Sequence, residues 1–220
     1  MPFLYYDLEV IPFVIIALIV GFTIHEFSHA FVAYKFGDPT AKNQGRLTLN
    51  PISHLDPIGT LLIFLAGFGW AKPVPVNRFY FKNPRLSGVL VSVAGPLSNL
   101  FIAFLAFLLL NFFFSFGLFA GLSYDGARMV EQFFNILISL NIMLFIFNLL
   151  PFPPLDGYRI IEDLAPPDIR AKLTQYENYG VLIFLIIVIT PLDQYIIHPI
   201  FNWGSRAVIT LFHFVLQPFF

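Results

Sequence analysis

Long apolar runs separated by short polar stretches make up most of this chain. Residues 8–34, 86–116 and 130–150 are apolar apart from a few polar positions, and each run is long enough to cross a lipid bilayer as a helix. The pattern also predicts a final helical hairpin over residues 178–217, in which Pro199 and Gly204 are weak points. We therefore expect an all-α polytopic membrane protein with about five transmembrane helices.

A shorter apolar run over residues 57–70 favours a re-entrant segment, because roughly fourteen residues are few for a crossing. Basic residues flank this run on both sides, and they share one side of the membrane only if the segment returns. With the N-terminus outside, ten of the twelve Lys and Arg lie in the cytoplasm, seven in residues 35–85 and three in residues 159–172. The positive-inside rule favours this arrangement in the plasma membrane, with the first and third spans meeting near the cytoplasmic face.

The remaining stretches are short and polar. Residues 35–56 are partly strand-like around residues 45–51, and residues 158–165 and 167–175 are typical of short surface helices. The sequence contains no internal repeat, so we expect one membrane-embedded domain over residues 1–220 with its core at about residues 8–165.

Composition agrees with a membrane protein. Hydrophobic residues make up 58% of the chain and charged residues 11%, whereas about a quarter of a soluble domain is charged. The net charge of −1 and the dispersed basic residues argue against a nucleic-acid partner. The chain has no cysteine, which excludes disulfides and thiolate metal sites. An acidic N-terminus with Asp7 and Glu9 is unlike a cleavable signal peptide.

The first apolar run contains the motif His25-Glu26-Phe-Ser-His29. Two histidines four residues apart share one face of a helix and can hold one Zn²⁺, while the glutamate beside the first can act as a general base towards water. Polar and ionisable residues inside a membrane are costly unless they serve a site. The motif therefore predicts a zinc centre near one end of the first span.

Catalytic zinc usually has three protein ligands, so a third must come from elsewhere in the chain. Asp156 is the best candidate, because it follows the third span in a proline-broken segment at the depth of the motif. An alternative role for Asp156 is to cap a helix that starts at Gly157. The residues alone leave both roles open.

These residues resemble the site-2 protease family of intramembrane zinc metalloproteases, specifically the compact prokaryotic type without a PDZ domain. The resemblance rests on the histidine motif, on Asn148-Leu-Leu-Pro-Phe-Pro-Pro-Leu-Asp-Gly157 and on Ala94-Gly-Pro-Leu-Ser-Asn99. It extends through residues 45–60 and 69–77 and covers roughly residues 10–165. It implies that His25, His29 and Asp156 ligate zinc, that Glu26 is the general base, and that Asn148 holds the substrate or stabilises the oxyanion.

The resemblance also implies a function: hydrolysis of peptide bonds in or near the transmembrane segments of membrane-protein substrates in the lipid bilayer. Two alternatives are a membrane metal transporter and a catalytically silent scaffold of the same fold. A transporter predicts polar residues along several spans, whereas here they gather at one end. The intact Glu26 argues against a silent scaffold.

Other polar residues have two possible roles each. Asn99 is a helix-packing residue or a site residue, and His54 and Asp56 organise a turn or serve the site. The prolines of Lys72-Pro-Val-Pro-Val-Asn77 keep that segment extended, so it is predicted to form a β-like edge near the active site. We expect the amides of Lys72, Val74 and Val76 to receive an unwound substrate strand.

Overall fold

A computed structural model describes residues 7–66 and 69–219. Eight α-helices lie in these ranges: α1 Ile11–Lys35, α2 Thr40–Asn43, α3 Pro57–Ala66, α4 Pro84–Ser115, α5 Tyr124–Asn148, α6 Asp156–Leu164, α7 Pro167–Ile189 and α8 Asp193–Leu216. Four of these helices, α1, α4, α5 and α7, are long and apolar enough to cross a membrane. The predicted all-α, multi-pass fold is confirmed.

The centre of the fold is a bundle of α1, α4 and α5, each packed against the other two. Small side chains at their contacts, including Ala17, Ala30 and Ala103, are fully buried and let the helices approach closely. Helix α8 completes the bundle, since its Phe212 lies in a core cluster with Phe107. Helix α8 has 24 residues, which is long enough to cross a membrane, but it is not one of the four candidate membrane spans.

The C-terminal part differs from the prediction in one respect. The expected surface helix 167–175 and the following apolar run form one continuous helix, α7. Gly180 does not interrupt it. A Cβ at Gly180 would lie 2.6 Å from Cγ of Pro153, so this glycine permits close packing of α7 rather than a break.

Helix α3 lies in a segment that returns to its starting point. Leu55 and Ala71 form an isolated antiparallel bridge, and the N–H of Lys72 donates to the carbonyl of His54 at 2.8 Å. Because the two ends of the segment are hydrogen-bonded to each other, they lie side by side. This geometry supports the re-entrant prediction.

The segment Lys72–Asn77, here called the proline strap, follows that bridge. In the described ranges the Leu55–Ala71 bridge is the one β-type pairing outside helices, so the predicted β-like edge is not formed as a strand. Residues 45–51, also expected to be strand-like, form an irregular segment with a bend at residues 47 and 48, and a 3₁₀ helix begins at Pro51. Prolines keep the strap extended, but they also remove the amides that a ladder needs.

Candidate metal centre and active site

The three predicted zinc ligands meet at one point in the bundle. His25 and His29 lie on one buried face of α1, and their Nε2 atoms are 3.0 Å apart. Oδ2 of Asp156 lies 3.2 Å from Nε2 of His25 and 3.3 Å from Nε2 of His29. Ligands about 2.0–2.1 Å from a tetrahedral zinc would be roughly 3.3 Å from one another. The spacing therefore fits a single Zn²⁺.

Two further observations agree with a metal at this point. Oδ2 of Asp156 is buried and has no hydrogen-bond partner among the described residues, which is costly unless a cation is present. Gly95 of α4 faces the same point: a Cβ there would lie 2.3 Å from Nε2 of His29 and 2.6 Å from Nε2 of His25. Glycine thus keeps open the space into which both imidazoles point.

Asp156 reaches the histidines because α6 begins directly against the end of α5. A Cβ at Gly157 would lie 2.3 Å from the carbonyl oxygen of Leu149, so only glycine permits this approach. Asp156 is the first residue of α6, and the capping position belongs to Leu155, which makes no side-chain cap. The geometry favours the ligand role of Asp156 over the capping role.

The other ring nitrogen of each histidine bonds to an oxygen. Nδ1 of His25 lies 2.7 Å from Oδ1 of Asn99, and Nδ1 of His29 lies 2.7 Å from the carbonyl oxygen of Val91. Such oxygens only accept, so each Nδ1 carries the hydrogen and each Nε2 presents a lone pair. Contacts of this kind orient metal-binding histidines.

Asn99 therefore serves the site as well as helix packing. It is fully buried, and its Nδ2 donates to the carbonyl of Gly21 at 3.1 Å and to Oδ1 of Asn141 at 3.0 Å. Asn141 in turn donates to the carbonyl of Leu137 at 2.8 Å. Sequence reasoning missed Asn141. The signal that could have found it was a polar side chain in the middle of an apolar span.

Glu26, the predicted general base, is buried beside the ligands. Its Oε2 accepts a hydrogen bond of 3.0 Å from the backbone N–H of Val74 in the proline strap. Among the described residues, its Oε1 makes no hydrogen bond. The amides of Val74 and Lys72 thus already have partners within the protein, so in this conformation these two amides are not available to a substrate strand. That the amide of Val76 receives a substrate strand stays a prediction.

A cavity of about 930 Å³ opens in front of the ligands and Glu26. The strap, α1, α5, α6 and α8 contribute to its walls. Asn148 lines the cavity, and its Nδ2 donates to the carbonyl of Leu144 at 2.9 Å. Four polar residues of α8, which sequence reasoning did not assign to the site, line it as well: Asp193, His198, Asn202 and Ser205.

His54 and Asp56 organise the turn before α3. His54 is fully buried, its Nε2 lies 2.7 Å from the carbonyl oxygen of Thr48, and its own carbonyl accepts from Lys72. Oδ1 of Asp56 accepts the N–H of Gly59 at 2.8 Å. These contacts confirm the turn-forming role.

Charged residues hold α6 in place behind the ligand. Asp163 is buried and pairs with Arg78 at 2.9 Å and Arg170 at 3.2 Å. Glu162 is also buried and pairs with Arg159 at 3.1 Å. The sequence had placed both carboxylates on a surface helix, which is wrong: they face inward and bind arginines.

The chain is similar in sequence to a known protein family and to several known proteins. The model of the family described as "Peptidase family M50" matches residues 13–190. The chain is 58% identical to the "Putative zinc metalloprotease YwhC" of Bacillus subtilis (strain 168) over 216 residues, 98% of each chain. It is 32% identical to the "Putative zinc metalloprotease Rip2" of Mycolicibacterium smegmatis over 184 residues, 81% of this chain and 67% of the relative. No solved structure matches the chain significantly.

Proposed function

Since the chain belongs to peptidase family M50 and is an intramembrane zinc metalloprotease, we propose that His25, His29 and Asp156 hold its zinc and that Glu26 is its general base. The observation that carries this assignment is the convergence of three ligand atoms within 3.0–3.3 Å of one another. Nothing in the comparisons favours the transporter or the silent scaffold.

Each residue of the site has a separate role in peptide-bond hydrolysis. Bound Zn²⁺ supplies a Lewis acid that polarises the scissile carbonyl and lowers the pKa of water. Glu26 accepts the proton of the attacking water at Oε1, because Oε2 is engaged with the N–H of Val74. It then delivers that proton to the nitrogen of the leaving amine. Asn99 and the carbonyl of Val91 hold the two imidazoles in the orientation that directs Nε2 to the metal.

Asn148 is proposed to bind the substrate backbone. Its carboxamide lies on the cavity wall, one N–H is donated to Leu144, and the second N–H remains for a substrate carbonyl. A single added donor directed at a developing oxyanion is worth about 10²–10³ in rate.

The substrate is proposed to be a membrane protein that is cut in or near a transmembrane segment at the cytoplasmic face of the plasma membrane. Three observations support this. The ligands lie on helices long and apolar enough to cross a membrane or directly after one, the cavity opens beside them, and ten of the twelve basic residues lie in residues 35–85 and 159–172. Positive charge marks the cytoplasmic side. The same charged segments would let water reach the active site.

The test compares wild type with Glu26→Gln in the same membranes. Glu26→Gln preserves the shape and the ligands but removes the base, so we expect zinc content and folding to persist while cleavage falls by about 10²–10⁴. Membrane-protein fragments are compared by mass spectrometry. Identical fragments from the two proteins would contradict the proposed role of Glu26.

A further inference from the structure

Glu26 is held from outside its own helix, by the proline strap. We propose that Arg46 and Asp38 are positioning residues for the peptidase reaction: they fix the strap at both ends, so that the N–H of Val74 holds one oxygen of Glu26 and leaves the other free. This inference rests on the proposed role of Glu26 as the base.

Nearly every amide hydrogen of the strap is already bonded. Pro73 and Pro75 have none, so four residues of the strap carry an amide hydrogen: Lys72, Val74, Val76 and Asn77. Three of these four donate to distant parts of the chain, to the carbonyl of His54 at 2.8 Å, to Oε2 of Glu26 at 3.0 Å and to Oδ2 of Asp38 at 2.6 Å. The strap is therefore fixed along its length, and Glu26 is one of its contacts.

Arg46 acts on the peptide group that meets Glu26. Its Nη1 donates to the carbonyl of Pro73 at 3.1 Å and its Nη2 to the carbonyl of Lys72 at 2.6 Å. The Pro73 carbonyl and the Val74 N–H belong to one planar peptide unit and point in opposite directions. A guanidinium on the oxygen and a carboxylate on the hydrogen thus fix the orientation of that plane.

The charges of Arg46 and Glu26 strengthen the hydrogen bonds on either side of the Pro73–Val74 peptide. Arg46 is 6% exposed, and hydrogen bonds to charged groups are the stronger kind. A cation at the peptide oxygen polarises the peptide and makes its N–H a better donor. Burial lowers the pKa of the Arg46 guanidinium, and the charge of Glu26 partly offsets this effect. The two charges therefore interact across the strap.

Asp38 holds the other end of the strap. It is fully buried, and its Oδ1 is itself fixed by the N–H of Thr40 at 2.9 Å. Its Oδ2 accepts the N–H of Asn77. Because Asp38 and Arg46 lie on either side of α2, this short polar stretch anchors both ends of the strap against the end of α1.

Positioning matters because a glutamate side chain has three rotatable bonds, whereas a catalytic group must be held within about 0.5 Å of its productive place. The strap occupies Oε2 and leaves Oε1 available for proton transfer. Loss of Arg46 should leave zinc and substrate binding intact while allowing the Val74 peptide, and with it Glu26, to move.

The test uses the purified full-length protein in detergent, as wild type, Arg46→Ala, Arg46→Lys and Val74→Pro. Lys42→Ala is the matched control, because Lys42 is a cation of the same stretch that bonds only to the hydroxyl of Tyr34 in the described structure. Hydrogen–deuterium exchange of the strap peptide is measured together with zinc content. The kcat and KM are measured with fluorescein-labelled casein, an unfolded polypeptide that needs no helix unwinding.

In Arg46→Ala we expect strap exchange to rise roughly ten-fold, as for the loss of about 1.4 kcal/mol, with α4 exchange and zinc content unchanged. The kcat should fall at least ten-fold with KM within about two-fold, and Arg46→Lys should recover part of it. Val74→Pro, which removes the N–H donor to Glu26, should reproduce the kinetic loss. Lys42→Ala should match wild type.

Unchanged strap exchange in Arg46→Ala overturns the inference, and so does faster exchange with an unchanged kcat. Faster cleavage in Arg46→Ala or Val74→Pro would show that the strap covers the base as a lid, which also overturns it. Hydrogen–deuterium exchange reports the contact between the strap and Glu26 whether or not the protein cleaves casein. A wild-type protein that cleaves nothing while its strap responds to Arg46→Ala therefore identifies a failure of the proposed function.

Discussion

The carboxamide of Asn99 accepts the Nδ1–H of His25 at 2.7 Å and, through its own Nδ2, donates to the backbone of Gly21 one turn earlier on the same helix. A single buried side chain of α4 thus bonds to two residues of α1 and orients His25, a proposed metal ligand. Helix packing and ligand geometry are therefore coupled at this residue.

Asn99→Ala should weaken zinc binding about 10–100-fold, the usual cost of losing a partner behind a metal-binding histidine. It also leaves Nδ1 of His25 without an acceptor in a buried site. Zinc affinity is measured by competition with a chelator. Asn111→Ala is the matched control, since Asn111 of the same helix bonds only to its own helix backbone among the described residues, at the carbonyl of Phe107. Equal affinities for the two variants would contradict the role of Asn99.

Asp156→Ala should lower zinc occupancy as well as cleavage, because the remaining two imidazoles form an incomplete site. Metal content is measured by atomic emission. Asp168→Ala serves as the control, since Asp168 is likewise an acidic residue in the first turn of a helix. If Asp156→Ala kept its zinc and lost only thermal stability, as a lost helix-terminal charge would predict, then Asp156 would not be a ligand.

Much of the site could be predicted because its residues are close in sequence or chemically distinctive. His25, Glu26 and His29 lie on one helix, so their spacing alone brings them together. Asp156 could be placed because topology brings the ends of two spans to one depth. The spans themselves follow from long apolar runs, which have few alternatives in a membrane.

The residues that escaped prediction depend on contacts between distant segments. The burial of Asp163 is compensated by Arg78, 85 positions earlier, so its helix looks like a surface helix when only apolar positions are counted. The surface helix over residues 167–175 was expected to be separate from the following apolar run, yet Gly180 continues the helix and packs against Pro153 on another element. The bond from Val74 to Glu26 joins residues 48 positions apart through a backbone amide, for which side-chain identity carries no signal.

The charge pairs of α6 predict a pH dependence of stability. Burial opposes ionisation of Glu162, but Thr174 and Arg159 hold the pKa of its carboxyl below its usual value. A lowered pKa in the folded state adds stability above the unfolded pKa of about 4.3, and this stability is lost as pH falls through the folded pKa. The free energy of unfolding of wild type should exceed that of Glu162→Gln by about 2 kcal/mol at pH 7.

That difference should shrink as the pH falls below about 4.3. Thermal unfolding of both proteins in detergent at pH 7 and pH 4 measures it. The zinc site is present in both proteins and cancels in the comparison. A gap that stays constant with pH would show that the glutamine acts through packing rather than through the missing charge.

The re-entrant segment predicts where topology reporters should lie. Reporters fused after Phe81 and after Ile169 should both face the cytoplasm if the segment over residues 57–70 is re-entrant, as the pairing of Leu55 with Ala71 favours. A reporter after Gly121, between α4 and α5, should lie on the opposite side. A reporter after Phe81 that is active only outside the cell would show that the segment over residues 57–70 spans the membrane.

Gly95→Ala tests whether the space in front of the imidazoles is needed for the metal. A Cβ at this position would lie 2.3 Å and 2.6 Å from the two Nε2 atoms, closer than any real contact allows, so the ligands must shift. We expect the variant to lose zinc and cleavage together. Metal analysis and the casein assay measure both.

Helix propensity gives the opposite expectation, and this makes the variant decisive. Alanine in the interior of a helix is more favourable than glycine by roughly 0.5–1 kcal/mol, so Gly95→Ala would stabilise α4 if the site did not require the space. Gly121→Ala is the control, because nothing lies within 4 Å of a Cβ at that position, and it should keep both zinc and activity. A Gly95→Ala protein that retained its zinc and melted at a higher temperature would show that the metal is held elsewhere.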